Sequence, residues 1–472
     1  MKKLTSLVLS LAAFASQAQT VPALFWGEDG QHVALHDIVS LKFGAADFTL
    51  LCTDGNCLTL PLQPITFGQA DVQGLQQVTG DAVVASQRYD LMGRRLADAT
   101  TGFTVSRQGI TLGNGAPAPA NLTRAASATA LQVGTEGIDA QLALSRVDSL
   151  SFADDAYLEV NTEGVVYGFP LDKLSVLTFP EQIAVVSIEY QDEQVEGVNP
   201  FYFDGLGIRT EGAGVIVSNL GLMQEIEYQL SGSSQNGYFL ISSEYKWQAT
   251  LQNLSLTNPV GPAINSQTGK KGTIKSPKGT VNTLCDGPVY DPSPLDQKAC
   301  VFSEGQLIFN GKGQLDVTSY SKHGICSDDY VSIDNGNVSV LAAASDAIHA
   351  KDSVIIQAGT VTLSPSSDGI DSDGPITIRR GENGIPKLTI ITTGDGAKGI
   401  KTAKDFLMTD GQVEIHQTGK CEVKDGDTSR VIGIKAATIT ITGGSVVINN
   451  QAEGGKPYSA DSVTGKEFIT TL

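Results

Sequence analysis

Between residues 323 and 438 one short phrase returns five times: HGICSDD, DAIHAKD, DGIDSDG, KGIKTAKD and IGIKAAT. Aligned on the small residue before isoleucine (Gly324, Ala347, Gly369, Gly399, Gly433), the copies are spaced by 23, 22, 30 and 34 residues. Between them lie VSIDNGNVSVLA, VIIQAGTVTLSP, ITIRRGENGIPKLTIIT, FLMTDGQVEIHQTG and ITITGGSVVIN. The unit is a strand, a Gly-bearing turn, a second strand, a corner and then the phrase. A helix-free period slightly above twenty is too short for a propeller blade of roughly 40–45 residues, and it suits one coil of a β-solenoid. A single coil cannot bury its own apolar face, so coils stack, and Ile325, Ile348, Ile370, Ile400 and Ile434 are expected to form an internal ladder. Glycine before the isoleucine is expected because corners often need positive φ. The later, longer spacings contain ENGIPK and KCEVKDGDTSR, which are expected as loops extruded from corners.

At 472 residues the chain exceeds one ordinary core. Its start, MKKLTSLVLSLAAFASQAQT, has a basic end, an apolar run and small residues near Ala18. That is a secretory signal over residues 1–19 and predicts a secreted, periplasmic or cell-surface protein. No other stretch has the 18 or more apolar residues of a membrane span, so direct membrane insertion is not expected. Residues 20–182 hold two echoing stretches: IVSLKF with TLLCTDGNCLTLPLQPITF, and VDSLSF with LEVNTEGVVYGFPLDKLSVLTF. Short apolar runs split by DG or EG read as β-hairpins, giving one or two small β modules with an Ala/Pro-rich linker near residues 114–130. The intervening YDLMGRRLADATTGFTV resembles part of the sorting domains of Bacteroidetes exported proteins, although those domains stand at the C-terminus. The solenoid is assigned to residues 183–472.

The net charge of −19 repels nucleic acid, which is excluded as a direct partner. Export permits disulfides. Cys52 and Cys57 flank TDGN and are expected to close a hairpin, and Cys285 and Cys300 to pin the Pro/Asp-rich loop between them. Cys326 and Cys421 are either a distant pair or two buried thiols.

The phrase is rich in aspartate. Side chains at equivalent positions of adjacent strands lie about 4.7–4.9 Å apart. Two carboxylates at that distance repel by roughly 3.5 kcal/mol at an effective dielectric near 20, so rows of them call for a cation. Ca²⁺ accepts six to eight oxygens, including the backbone carbonyls of Gly-rich corners. His323, His349 and His416 lack the close paired spacing of a zinc site. Aspartate is also an ordinary turn former, and Lys351, Lys398, Lys401 and Lys404 offer another source of neutralising charge.

The order NTLCDGPVYDP, KACVFSEGQLIFNGKGQLDVTSYSKHGICSDD and then the AIHAKD and DGIDSDG coils resembles a secreted bacterial carbohydrate-binding β-helix family of the polygalacturonate-binding type. The resemblance covers roughly residues 197–470. It implies an all-β, right-handed parallel β-helix, bound calcium, and affinity for acidic or cellulosic polysaccharide. As calcium ligands it implies Asp328, Asp346, Asp352, Asp368, Asp371 and Asp373. The chain departs from the family pattern at Ala347, at AKGIK, and at His323, where an acid is usual.

Together these features predict a monomeric, calcium-dependent polysaccharide-binding protein in which the ion bridges protein and sugar carboxylates. Tyr320 and Tyr330 are candidate sugar-stacking platforms beside the acidic coils, with Tyr290 near them; Trp247 is expected to pack on a strand. No catalytic residue is assigned. A calcium-dependent polyuronate lyase, with Arg379, Arg380 or Lys351 as base, is the alternative. A structural or adhesive solenoid is a third.

Overall fold

The computed structural model describes residues 180–424 and 427–472, and residues 129–178 apart from 136, 154–156 and 175. Before these it describes eight strands between Thr20 and Leu112. The expected signal sequence, most of the sorting-like segment and the expected linker lie outside the described residues. All the long-range structure is β, and the chain divides into two compact units: Met1–Ala184 with Val198–Phe203, and Val185–Gly197 with Asp204–Leu472.

The first unit carries the internal echo in its strand pairing. One copy supplies β1 (Thr20–Trp26), β2 (Gln31–Ala34), β3 (Ile38–Phe43), β4 (Asp47–Cys52), β5 (Cys57–Pro61) and β6 (Ile65–Asp71). A separate hairpin, β7 (Phe103–Ser106) and β8 (Gly109–Leu112), follows. The second copy supplies β9 (Ala130–Gly134), β10 (Ile138–Ala143), β11 (Ser149–Ala153), β12 (Tyr157–Thr162), β13 (Val165–Pro170) and β14 (Val176–Thr178). The copies meet edge to edge. β3 pairs antiparallel with β11, Leu41 opposite Leu150, and β6 with β14, Ile65 opposite Leu177. The β12–β13 turn is Glu163-Gly164, both at positive φ, as a two-residue hairpin loop requires. Leu24, Trp26, Leu50, Leu60, Leu142, Leu150, Val160 and Phe169 are among the residues of its core.

In the second unit each coil of chain visits three parallel sheets in turn. The coil Leu307–Gly311, Gln314–Ser319, His323–Ser327 stacks on Tyr330–Ile333, Asn337–Ala343, Ile348–Ala350, and that coil stacks on Ser353–Ile356, Thr360–Pro365, Ile370–Ser372. Three internal ladders result. Sheet one lines up Leu307, Val331, Val354, Ile376, Phe406 and Ile439. Sheet two lines up Leu284, Val317, Val340, Leu363, Ile390, Ile415 and Ile448. In sheet three the five predicted isoleucines are successive register partners, all fully buried. Trp247 is buried on its strand, as expected. ENGIPK and KCEVKDGDTSR lie between strands of the coil stack, and the second forms an extra hairpin, Glu422–Lys424 with Asp427–Ser429.

The phrase glycines serve a different purpose from the expected one. Positive φ occurs instead at Gly311, Gly336, Gly359, Gly411 and Gly444, in the turns from sheet one to sheet two. At Gly369 the demand is close approach: a Cβ there would stand 2.4 Å from the Gly399 carbonyl oxygen and 2.5 Å from Ile390 Cγ2. Coil-to-coil contact, rather than backbone handedness, selects the small residue.

The expected disulfides are also corrected, since all six cysteines stand as thiols. Cys57 is the register partner of Leu51, so Cys52, one residue further on, points to the opposite face of the hairpin, buried where Cys57 is exposed. Cys285 is half-buried, whereas Cys300 is fully buried. The loop between them is pinned by other groups. Buried Asp286 accepts hydrogen bonds from the Tyr290 hydroxyl, the Ser319 hydroxyl and the Tyr320 backbone N–H, each at 2.6 Å.

Candidate functional site

The outward face of sheet three carries the charged residues of the phrase in two rows. In the first, the residue after each isoleucine is in register with its counterpart on the next coil: Cys326, His349, Asp371, Lys401 and Lys435. In the second, the residue two before each isoleucine stands at the strand entry: His323, Asp346, Asp368 and Lys398. Backbone hydrogen bonds tie this second row together. The N–H of Asp346 donates to His323 Nδ1 at 3.3 Å, that of Asp368 to Asp346 Oδ1 at 2.9 Å, and that of Lys398 to Asp368 Oδ1 at 2.7 Å. One oxygen of each entry aspartate thus closes a corner, and the other is left for side chains. Both aspartates are only 6% exposed.

The remaining oxygens are claimed by cationic or ionisable neighbours. Lys401 Nζ lies 3.1 Å from Asp368 Oδ2 and 2.7 Å from Asp371 Oδ2. Burial alone would lower the Lys401 pKa, but the hydrogen bonds and charges of Asp371 and Asp368 raise it well above the ordinary lysine value. Asp346 Oδ2 faces His323 Nδ1 at 3.3 Å and His349 Nδ1 at 3.9 Å, and the two imidazoles stack with centroids 4.7 Å apart. Burial opposes ionisation of Asp346, yet the His323 hydrogen bond and charge hold its carboxyl below the usual range. Burial, and then the charge of His323, lower the His349 pKa.

The six expected calcium ligands therefore fall into two groups. Asp346, Asp368 and Asp371 come together on the sheet-three face. Asp328, Asp352 and Asp373 stand past the far end of the same strands. Asp328 and Asp373 each follow a register partner, Ser327 or Ser372, but Lys351 holds the equivalent place on the coil between them. Asp352 is one residue further on, so the expected row of three carboxylates is interrupted by an ammonium. Asp328 pairs with Lys298 at 2.5 Å, and Asp352 and Asp373 are exposed. Among the described residues, the group of three metal-ligating side chains whose ligand atoms lie within 4.8 Å of one another is His323, Asp346 and His349. As arranged, the six aspartates do not fit one cage of six to eight oxygens.

The tyrosines also separate. Exposed Tyr320 lies at the corner leading into His323, whereas half-buried Tyr330 follows Asp329 at the other end. Arg379 donates to Gln357 and Arg380 pairs with Asp410 at 2.9 Å, both beyond the sheet-one strand Ile376–Ile378. Neither belongs to the sheet-three face.

Sequence reasoning missed two features here. The first is Lys435, exposed and in register with Lys401. Burial lowers the pKa of Lys398, the charges of Lys435 and Lys401 lower it further, and Asp368 opposes them. The repeat contained the signal, since Lys435 occupies the position of His349 and Asp371 in the last phrase. The second is the histidine pair. Residues 323 and 349 are far apart on a helix-like or hairpin-like spacing, but they are one coil apart, offset by the three residues between strand entry and outward row.

Residues 211–468, more than half of the chain, match the family described as carbohydrate-binding domain-containing protein. The chain belongs to that family. A curated carbohydrate-binding domain-containing protein from Acetivibrio thermocellus is 28% identical over 120 residues, which is 24% of this chain and 42% of that relative's length. The chain therefore spans well under half of that relative. A solved structure, the polysaccharide lyase-like protein from C. thermocellum as a gadolinium derivative, aligns with a TM-score of 0.43 at 19% identity, covering 61% of this chain and all of that one. No helix among the described residues is long and apolar enough to cross a membrane.

Proposed function

We propose that the coil stack is an exported polysaccharide-binding domain that takes acidic, uronate-type chains along sheet three, with lysine ammonium groups doing the work first assigned to calcium. The observation that carries this is the cluster Lys398, Lys401 and Lys435 on adjacent coils of a chain whose net charge is −19. Two ammonium groups close enough to lower the pKa of a third, Lys398, favour an anion. Rungs about 4.8 Å apart repeat at close to the length of one pyranose unit, so an extended chain can offer successive groups to successive coils. Lys456 stands at the strand entry two coils beyond Lys398, with Ile432 between them in register.

In this reading Asp368 and Asp371 orient Lys401, and Lys435 and Lys398 meet sugar carboxylates directly. Exposed Tyr320 lies at the other end of the face, where a ring can stack. The coils are taken as right-handed, the hand of about 98% of parallel strand crossovers. The working state is a monomer outside the cytoplasm.

The test is a panel of polygalacturonate, alginate, cellulose and neutral glycans, each assayed with and without chelator. Uronate binding that persists in chelator and weakens with salt is the expected result. Binding confined to neutral glycans sinks the acidic specificity. Binding abolished by chelator restores calcium bridging in place of the lysine cluster.

A further inference from the structure

We infer that His323, His349 and Asp346 form a binding site for one borderline divalent transition ion of the zinc class, with a coordination position left open to solvent. The site lies on the same face as the lysine cluster, on the other side of Asp371, and it does not depend on the polysaccharide reading. Three observations carry it. A ring nitrogen of each histidine and a carboxylate oxygen of Asp346 lie within 4.8 Å of one another. His349 Nδ1 is buried with no hydrogen-bond partner, and such an orphaned polar atom in a native fold calls for a partner. Asp346 is fixed from behind, because its other oxygen accepts the Asp368 N–H at 2.9 Å, the kind of outer support that orients a metal ligand.

The distances suit a small ion. Bonds of about 2.0–2.1 Å in tetrahedral geometry separate donors by about 3.4 Å. His323 and Asp346 already stand at 3.3 Å, and His349 must close from 3.9 Å, within reach of a side-chain rotation. Imidazole donors favour zinc, copper, nickel or iron over calcium. His323 gives up its long 3.3 Å bond from the Asp346 N–H if Nδ1 is the donor. Both histidine side chains keep a quarter or so of their surface exposed, so a water or a sugar oxygen can take the fourth position.

The experiment uses the untagged full chain, stripped by chelator and titrated with Co²⁺ while d–d absorption is followed, with Zn²⁺ as competitor. One ion per chain, displaced by Zn²⁺ but not by excess Ca²⁺, is expected. His349→Gln should weaken it by at least about tenfold while keeping the wild-type melting temperature of the metal-free chain. Copper-loaded wild type should show nitrogen hyperfine couplings in its electron paramagnetic resonance spectrum, a readout that needs no variant to fold. Displacement by Ca²⁺, an unchanged affinity in His349→Gln, or a spectrum without nitrogen couplings overturns the site.

Discussion

Lys401 and Asp371 are register partners on adjacent coils, and their side chains meet at 2.7 Å. The same ammonium reaches Asp368 at 3.1 Å, so one lysine balances two carboxylates of the preceding coil. A stack of parallel coils places equivalent residues side by side whatever their charge, and a chain that repeats aspartate must alternate it with a cation or bind one. Here Lys401, Lys298 and Lys351 are built into the places where repetition would otherwise put like charges together.

Lys401→Met removes that balance while preserving the stem. Asp368 is then buried and unpaired, a loss of about 2 kcal/mol once the partial exposure of Lys401 is allowed for. Burial already raises the Asp368 pKa, and without Lys401 it rises further. A carboxyl whose folded pKa exceeds its unfolded one stabilises most below the unfolded value and loses that contribution as pH rises through the folded one. Urea denaturation should therefore show a deficit that shrinks toward acid pH, and Asp368→Asn in the same chain should recover most of it. A deficit independent of pH would place the effect in lost packing.

Gly369→Ala tests why the phrase keeps a small residue. Its φ is not positive, so conformational strain predicts little cost. The 2.4 Å approach to the Gly399 oxygen predicts instead that the coils must separate, at about 1–3 kcal/mol. Ala347 stands at the same place one coil earlier and is fully buried, so Ala347→Gly should cost about 1–2 kcal/mol, the entropic penalty of glycine plus one lost buried methyl, with no separation of the coils. Paired thermal melts of the two variants decide between the explanations.

The coil stack was legible in the sequence because its ladder depends on one residue type at one position. Ile325 to Ile434 needed only their spacing to be placed. Which neighbours the outward residues would meet was not legible in the same way. A one-residue offset puts Lys351 rather than Asp352 in line with Asp328 and Asp373, and two of the aspartates spend an oxygen on the next coil's backbone. The echo between β3 and β11 was visible as two hairpins, but their edge-to-edge pairing has no local signature, since Leu41 and Leu150 meet only through the fold. The thiols at Cys52 and Cys57 show the same point. Flanking a turn is not enough when register sends the two side chains to opposite faces.

Asp286→Asn probes the network found in place of a bridge at Cys285 and Cys300. Three donors converge on that carboxylate, and amide replacement turns one acceptor into a donor facing them, at a cost of about 2–3 kcal/mol. Hydrogen exchange over residues 287–298 should rise, while the ladders of sheet three remain protected. Burial raises the Asp286 pKa despite its three hydrogen bonds. As for Asp368, wild type loses part of this contribution as pH climbs through the folded pKa, so the gap to Asn narrows at neutral pH relative to acid. A gap that widens with pH would mean that the carboxylate is better stabilised folded than unfolded.

Lys435→Glu and Lys398→Met separate the contact and titration roles of the lysine cluster. Lys435 is exposed and in register with Lys401, so reversing its charge should weaken uronate binding by about tenfold, near 1.4 kcal/mol, with little effect on the melting temperature. Most of that loss should disappear in high salt, because exposed charges are screened there. Lys398 is half-buried and its pKa lies below the ordinary lysine value, first through burial and then through Lys435 and Lys401. Its ammonium is thus lost at a lower pH than an exposed lysine would lose its own, and uronate affinity should begin to fall early on the alkaline side. In Lys398→Met that early fall should vanish and leave a weaker but flatter profile. Identical pH profiles for the two proteins would remove Lys398 from the binding surface and confine the contact to Lys435 and Lys401.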